Sequence, residues 1–275
     1  MLVPMDEAAD PRLGAHEVCV RIEIAVVGSA WMPPCGIGAV DRAGDDAQVL
    51  LGRRVLVPAI TPSSEERDAP LVPNRQPDGH EQAWAWSHLS CSARWVLPLE
   101  AGLELPARGA VVGRELANAY ALMVAANTLP RAPVIVVGDG ACAELVVQVA
   151  AARNVNLARL RQPADDPRSE LATSERIFVL VADANHELAG AVAELVTGLE
   201  RPSVAILAGS ESMPVDLAEL AVNGTTVVGV PGAHPDLLAE VAAMVIKGHV
   251  DLEGLVTETS VDGQLGPGLS VVTLA

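Results

Sequence analysis

The sequence predicts an α/β protein in which a β-rich first part precedes a doubly wound parallel sheet. Over the second half of the chain, short apolar and β-branched runs alternate with helix-forming segments, as in parallel sheets with helices on both faces. Up to about residue 105, strand-like runs are instead separated by loops rich in Pro, Ser and charge. Half of the residues are hydrophobic but only 2% are aromatic, so Ala, Val and Leu must build the core.

The first part is predicted to form a small β-barrel or sandwich. Residues 16–27 alternate in polarity and then run apolar, and residues 52–60 form a second strand-like run. The segment "TPSSEERDAPLVPNRQPDG" (61–79) predicts a loop, and residues 81–99 return to extended structure. This last segment contains Trp84, Trp86 and Trp95. These side chains are interpreted as core residues, with an aromatic substrate pocket as the alternative.

The second part contains five predicted strands and five predicted helices. The strands are short apolar runs at 134–138, 155–161, 176–182, 203–209 and 225–230. The helices are breaker-free segments at 115–129, 141–154, 186–199, 213–222 and 235–249. A polar linker at 162–175 interrupts the alternation. Because strand and helix otherwise alternate, a parallel sheet is expected.

Charge and cysteine usage exclude several classes of function. The formal net charge is −17, which makes a nucleic-acid phosphate surface a poor partner. No apolar run is long enough to cross a bilayer, and the acidic N-terminus lacks an apolar signal core. The cysteines form no C-x-x-C pair and predict reduced, buried thiols rather than a zinc site: Cys19, Cys35, Cys91 and Cys142. We therefore expect a cytoplasmic protein.

The turn after the strand 134–138 has the pattern of a dinucleotide-binding site. Gly138, Gly140 and Ala143 follow the spacing G-x-G-x-x-G/A, which allows a tight turn, close approach of a pyrophosphate, and packing of helix on strand. The N-terminus of the following helix would supply the anion site. Because the pattern lies between a predicted strand and a predicted helix, it supports a nucleotide-binding fold.

The charges around this turn leave two interpretations open. Asp139 and Glu144 put carboxylates beside the expected pyrophosphate, and each like-charge contact would cost several kcal/mol before screening. Arg161, with Arg159 two residues before it, stands where an acid commonly binds the ribose hydroxyls. An arginine there predicts either a site for the 2′-phosphate of NADP or a lost nucleotide site with a solvated side chain.

Several stretches of the chain, in their order, resemble the medium-chain dehydrogenase/reductase superfamily. They are "HEVCVRIEIAVVG", "GAVDRAGDDAQVLLGRRVLVPA", "ARWVLPLEAGLEL" followed by "ANAYALMVAAN", and "MVIKGHVDLEGLVTET", together with the glycine turn. The resemblance implies a GroES-like domain over residues 1–115 with a return at 256–275, and a Rossmann-like domain over 116–255. It also implies a cofactor in the cleft, small residues (Ala182 and Gly209) lining it, and homodimers paired through the edge strand 225–230.

The chain also departs from the family pattern. These departures predict that both zinc sites are absent and that both domains are shortened. Zinc-binding members of the family carry a Cys soon after the first strands, and the segment that would hold it is missing here. The triplet G-H-E occurs at 79–81, after the 52–60 strand and not before it. The segment 61–76, which replaces the family's four-cysteine lobe, contains no Cys. His80 is therefore interpreted as a loop residue, and no zinc is expected. The linker after Arg161 is too short for a complete crossover unit, so the adenine side of the nucleotide pocket is expected to be incomplete.

Three residues are candidates for catalysis. Cys35 lies among prolines and glycine and could be a nucleophile, but a bystander thiol is the favoured interpretation. Tyr120 could donate a proton, although its apolar helix favours core packing with a hydrogen-bonded hydroxyl. Asp183, at a strand end, could be catalytic or could cap the helix that starts near His186, and the cap is favoured.

The sequence therefore predicts a zinc-independent NAD(P)H-dependent oxidoreductase that acts on a small carbonyl or enoyl substrate, with NADP as the cofactor. One alternative is a non-catalytic descendant that binds no cofactor and serves as a partner-binding subunit. Another is a lyase, isomerase or cyclase that reuses the substrate cleft. Because one fold hosts many functions, the resemblance alone does not decide among them.

Overall fold

The computed structural model describes residues 13–27, 35–59, 88–99, 104–171, 176–183, 185–207, 216–230, 232–260 and 269–274. The chain divides into two compact units. The first contains Met1–Ala117 and Ala233–Ala275, and the second contains Asn118–Gly232. The chain returns to the first unit at Ala233, earlier than the residue 256 that the family resemblance implies.

The described residues form twelve strands and five α-helices. The strands are β1 (Glu17–Val27), β2 (Gly36–Ala43), β3 (Arg54–Val57), β4 (His88–Ser92), β5 (Leu97–Pro98), β6 (Pro133–Val137), β7 (Asn156–Leu160), β8 (Phe178–Val181), β9 (Ser203–Leu207), β10 (Thr226–Val230), β11 (Val256–Ser260) and β12 (Leu269–Thr273). The helices are α1 (Glu115–Ala125), α2 (Ala141–Ala152), α3 (His186–Thr197), α4 (Leu217–Val222) and α5 (Leu238–Ile246). Short 3-10 helices cover Asp45–Leu50, Ala93–Trp95, Ala107–Gly113 and Pro235–Leu237.

The first unit is built on a seven-stranded, mostly antiparallel sheet. Its order is β11-β12-β1-β2-β3-β5, and β4 also pairs with β1; only β11 and β12 run parallel. Alternate residues of β1 and β3 turn to one face, where the fully buried side chains of Val18, Val20, Val55 and Val57 belong to one hydrophobic cluster. The predicted β-rich first part is thereby confirmed.

Strand β2 carries no apolar alternation, because glycines occupy two of its inward positions. A Cβ atom on Gly36 would overlap the backbone oxygen of Ile24, and one on Gly38 would overlap the backbone oxygen of Arg21. The neighbouring strand β1 therefore approaches too closely for any side chain at these positions.

The expected extended segment 81–99 differs locally from the prediction, since Ala93–Trp95 turn as a 3-10 helix. Trp95 is buried as predicted; Trp84 and Trp86 lie outside the described residues.

The second unit is built on a five-stranded sheet whose paired strands are all parallel. Its order is β10-β9-β8-β6-β7, so the chain moves from β6 outward to β7 and then crosses to β8 on the other side of β6. All five side chains of β6 are buried, as a strand covered on both faces requires. Apolar side chains of α3 (Leu188, Val192 and Leu195) pack with the central strands. The doubly wound sheet is confirmed, with its order reversing between β6 and β8.

Strand β7 stands at the edge of this sheet. Residues 162–171, the described part of the linker that follows it, form turns and no strand or helix. The next described strand, β8, pairs with β6 and not with β7. Within the described residues the sheet therefore has no strand beyond β7.

Among the described residues, no helix combines the length and apolarity that crossing a lipid bilayer requires.

Candidate functional site

The predicted glycine turn lies at the carboxyl edge of the parallel sheet. It joins β6 to α2 beside the point where the strand order reverses, which is where ligands bind in open α/β sheets. Gly138 has φ 123°, a conformation open in practice only to glycine, and its N–H donates to Leu160 O over 3.0 Å. Gly140 is the N-cap of α2, and Ala143 is fully buried at the first turn of the helix. The predicted strand–turn–helix geometry is thus confirmed.

The carboxylate of Asp183 occupies the corner that this turn creates. The backbone N–H of Asp139 donates to Asp183 Oδ1 over 3.2 Å, and the N–H groups of Gly140 and Ala143 also hydrogen-bond the carboxylate. A Cβ atom on Gly138 would overlap Oδ1, and one on Gly140 would lie 2.6 Å from Oδ2. The amides that would bind a pyrophosphate at a helix N-terminus therefore bind an internal anion.

The environment of Asp183 places its pKa above the usual aspartate value. Burial raises the pKa most, the hydrogen bonds from the turn amides oppose this rise, and the nearby charge of Asp139 adds to it. The prediction that Asp183 caps α3 is wrong. The cap is Asn185, whose side chain accepts from Leu188 N–H over 3.0 Å. Asp183 instead reaches from the end of β8 to the N-terminus of α2.

Glu144 carries the second carboxylate that the sequence places at the turn, and this carboxylate forms an ion pair with Arg159. Arg159 Nη1 lies 2.5 Å from Glu144 Oε1, and its Nη2 donates weakly to Gly138 O at 3.4 Å. The guanidinium is mostly buried, which strengthens its attraction for the carboxylate. Arg159 therefore offsets the charge of Glu144 and supports the turn, a contact between α2 and β7 that spacing alone did not indicate.

The end of β7 carries both an arginine and an acid. Arg161 is exposed, and its backbone N–H donates to Asp165 Oδ2 over 2.7 Å, while Gln162 N–H donates to the same oxygen over 3.0 Å. These two backbone hydrogen bonds, assisted by the charge of Arg161, lower the pKa of Asp165. Sequence reasoning missed this acid because it lies in a turn after the strand. The available signal was an Asp three to four residues after the strand end, where a short side chain can accept from the backbone N–H groups of the turn.

Ala182 and Gly209 are the two small residues expected to line the cofactor, and the described residues include Ala182. Ala182 is buried directly after β8, and its N–H donates to Val137 O over 3.2 Å, which extends the β6–β8 pairing to the edge of the sheet. Gly209 lies outside the described residues. Ala182 therefore brings Asp183 next to the turn at Gly138.

The other two catalytic candidates are buried. Tyr120 is 3% exposed, and its hydroxyl accepts from Arg153 Nη1 over 3.0 Å while the guanidinium stands 5.4 Å from the ring centroid, so it is packed with a hydrogen-bonded hydroxyl as predicted. Cys35 is 1% exposed, and burial raises the pKa of its thiol to about 12, which is unfavourable for a nucleophilic thiolate. That Cys35 is a bystander stays a prediction.

No cluster of three or more His, Cys, Asp or Glu side chains suited to a metal is present in the part of the chain that the structure describes. None of the described cysteines is in a disulfide; Cys19, Cys35 and Cys91 are buried, and Cys142 is partly buried. His80, with the G-H-E triplet around it, lies outside the described ranges.

The chain is similar in fold to dehydrogenases of known structure. An alcohol dehydrogenase from Thermus sp. ATN1 is 17% identical, with a TM-score of 0.73 over 98% of this chain and 96% of the other. A short-chain alcohol dehydrogenase from Escherichia coli CFT073, complexed with NADH, is 14% identical with a TM-score of 0.72 (96% and 94% covered). A putative zinc-binding dehydrogenase from Sinorhizobium meliloti 1021, bound to NADP, is 15% identical with a TM-score of 0.65 (96% and 94% covered).

No protein-family model matches the chain, and no curated protein sequence matches it significantly. The structural similarity extends over nearly the whole length of both chains in each comparison. At identities this low it establishes the fold. The chain has the fold of the medium-chain dehydrogenase/reductase superfamily, with a Rossmann-like and a GroES-like part, as the sequence resemblance predicted.

Proposed function

We propose that the protein is an NAD(P)-dependent oxidoreductase of the medium-chain type, which acts on a small carbonyl or enoyl substrate without zinc. One observation carries the proposal: a glycine turn with a positive φ at Gly138 opens α2 at the reversal point of a parallel sheet. Structures with the same fold hold NADH and NADP, which supports a nicotinamide cofactor here. Such a cofactor, when bound, supplies the hydride.

The backbone of the turn fits a pyrophosphate, but the side chain of Asp183 does not. The N–H groups of Asp139, Gly140 and Ala143 point to one place and already bind a carboxylate there. A pyrophosphate in that place would meet a negative charge at contact distance. Nucleotide binding therefore requires the carboxylate of Asp183 to leave the corner or to lose its charge.

Arg161 supports NADP as the nucleotide. It is exposed after β7, at the position from which a side chain reaches the adenosine ribose in this fold. A guanidinium there binds a 2′-phosphate through charge-assisted hydrogen bonds. Asp165 accepts from the backbone N–H of Arg161, and the charge of Arg161 lowers the pKa of Asp165, so this carboxylate would compete in part with a 2′-phosphate for the guanidinium.

Titration with NADPH and NADH, followed by nicotinamide fluorescence and thermal stability, tests this function. We expect saturable NADPH binding that Arg161→Glu weakens by about 10- to 100-fold, because a charged hydrogen bond is replaced by repulsion. NADH, which lacks the 2′-phosphate, should respond much less. Lys247→Glu, an exposed position of the first unit, is the control for the same change in net charge. Absence of binding by both nucleotides at millimolar concentration, in the wild type and in a folded variant that lacks the Asp183 carboxylate, would refute the proposal.

The absence of zinc is part of the proposal and rests on the sequence. The chain has four cysteines, three of them buried and none in a disulfide, and 61–76 contains none. Because one of the similar structures is described as zinc-binding, metal analysis of the purified protein is the direct test. We expect zinc far below one atom per chain. The free thiols also support a cytoplasmic location, since reduced cysteines persist in a reducing compartment.

We further propose a homodimer that pairs through β10. This strand pairs with β9 on one side, stands at the edge of the five-stranded sheet, and exposes 47% of Val227. An exposed edge with an apolar side chain is a template for pairing with a second strand.

Val227→Lys should dissociate this dimer, because two lysines would face each other across the paired edges. Light scattering after size exclusion should then show a fall in mass from twice 28.5 kDa to 28.5 kDa. Val222→Lys is the matched control, since Val222 is 86% exposed on the neighbouring helix α4. A wild-type monomer, or a dimer that persists in the Val227 variant, would contradict the pairing.

The position of Asp183 supports a second candidate function, a non-catalytic protein of the same fold that binds a partner subunit or a small ligand. If the carboxylate never leaves the turn, no pyrophosphate enters it, and the scaffold keeps only its binding surfaces. Failure of nicotinamide nucleotides to bind the wild-type protein or any variant would favour this function.

A further inference from the structure

We propose that Asp183 is a built-in competitor of the nucleotide pyrophosphate, and that its carboxylate sets how tightly this site binds any diphosphate ligand. The inference rests on the proposed function, because it concerns the same corner between β6, β8 and α2. It assigns to Asp183 a role in controlling affinity, where sequence reasoning assigned a helix cap or a catalytic acid.

Asp183 takes the hydrogen-bond donors that the ligand would need. Its carboxylate accepts from three backbone N–H groups of one turn, those of Asp139, Gly140 and Ala143. Its two oxygens lie where Cβ atoms of Gly138 and Gly140 would otherwise be. The two glycines thus leave a space that is open to an anion and that an internal anion fills. A diphosphate and this carboxylate cannot share it.

The charges around the turn also oppose an incoming diphosphate. Asp139 is the ionisable group whose charge acts on Asp183, while Glu144 on α2 and Arg159 on β7 lie at the same turn and pair with each other. Arg159 is paired with Glu144, so the carboxylates of Asp183 and Asp139 dominate the charge that an incoming diphosphate meets. Removing the one in the corner should relieve the larger part of this repulsion, because like charges in contact oppose binding strongly.

The carboxylate of Asp183 can leave the corner without unfolding its surroundings. Asp183 follows the end of β8 and is only partly buried. The next helix, α3, has its own cap in Asn185, so α3 does not depend on Asp183. Rotation of the side chain away from the turn would free the amides of α2 for another acceptor. Asp183 is therefore suited to be exchanged for a ligand.

Two substitutions test the proposal. Asp183→Gly removes the carboxylate and opens the corner, whereas Asp183→Asn removes the charge and keeps the side chain. Inorganic pyrophosphate and NADPH are the probes, titrated by calorimetry at one pH and low salt. We expect Asp183→Gly to bind both probes about 100-fold more tightly than the wild type, and Asp183→Asn about 10-fold more tightly.

Two controls accompany the variants. Asp166→Asn removes the same charge at an exposed position of the linker and should change affinity less than about threefold. Circular dichroism and thermal melting show whether each variant is folded. If Asp183→Gly does not fold, Asp183→Asn still decides the question, because it retains a side chain that can accept from the turn amides.

The outcomes separate this inference from the proposed function. Tighter binding of pyrophosphate and NADPH by the Asp183 variants supports both the competitor role of Asp183 and the nicotinamide function. Tighter binding of pyrophosphate without NADPH binding supports the competitor and refutes the nicotinamide function. Equal NADPH affinity in wild type and folded variants refutes the competitor and leaves the function standing. Failure of every folded form to bind either probe refutes both, and identifies Asp183 as a permanent structural cap of α2.

Discussion

Glu115→Leu is expected to lower the free energy of unfolding by about 3–5 kcal/mol, the cost of removing one partner of a buried ion pair. Glu115 and Arg114 are 5% and 3% exposed, and Arg114 Nε lies 2.5 Å from Glu115 Oε1. Burial lowers the pKa of Arg114, but the charge of Glu115, the nearby Cys35 and the hydrogen bond to Glu115 together raise it above the usual value, so the guanidinium stays charged. Removing the Glu115 carboxylate takes away the main charge that offsets the burial of this guanidinium. Urea denaturation of the variant and the wild type measures the loss.

The matched control is the double variant Arg114→Met/Glu115→Leu. It removes both charges and fills similar volume with apolar groups, which is commonly neutral or stabilising at buried pairs. We expect it to recover to within about 1–2 kcal/mol of the wild type, so that the two substitutions are strongly coupled. A single Glu115→Leu variant that loses less than about 1 kcal/mol would show that water reaches the pair.

This pair illustrates what local sequence cannot reveal. Arg114 and Glu115 are adjacent charged residues, a combination that normally lies on the surface. The available signal was their setting, since Val112, Leu116 and Ala117 around them are all buried. The start of α1 was predicted well because helix-forming composition is local. The burial of its first residue depends on the packing of distant segments, which composition does not encode.

The same distinction separates the predicted from the missed parts of the candidate site. The turn at Gly138 follows from spacing within six residues, and β6 from its apolar run, so both were predictable. Asp183 lies 44 residues beyond Asp139, and its contact depends on β8 pairing directly with β6. Arg159 and Glu144 meet only because β7 stands on the other side of β6. Strand order, and not local pattern, decides these contacts.

Strand β2 was not predicted, and the reason lies in its glycines. Its glycines interrupt the apolar alternation by which strands are recognised, yet β1 requires them because its backbone passes too close for a side chain. In the family resemblance, the stretch from Gly38 onward was matched by its order among other motifs. The family resemblance therefore matched the region of β2, which hydrophobic periodicity alone did not assign to a strand.

Gly138→Ala is expected to lower the free energy of unfolding by about 2–4 kcal/mol, and to do so through two separable causes. At φ 123° an alanine is strained whatever its surroundings, and its Cβ would also overlap Asp183 Oδ1. Gly190→Ala is the control, because Gly190 lies inside α3 with open space around it and should gain up to about 1 kcal/mol from helix propensity.

The double variant Gly138→Ala/Asp183→Gly separates the overlap from the backbone strain. Without the carboxylate, the part of the loss that comes from the Cβ–Oδ1 overlap should disappear, while the part that comes from φ should remain. Chemical denaturation of the two single variants, the double variant and the wild type gives the coupling as a free energy. Strictly additive losses would place the Asp183 carboxylate outside the corner in solution. A coupling of about 1 kcal/mol or more would place it inside, in contact with the turn that a diphosphate needs.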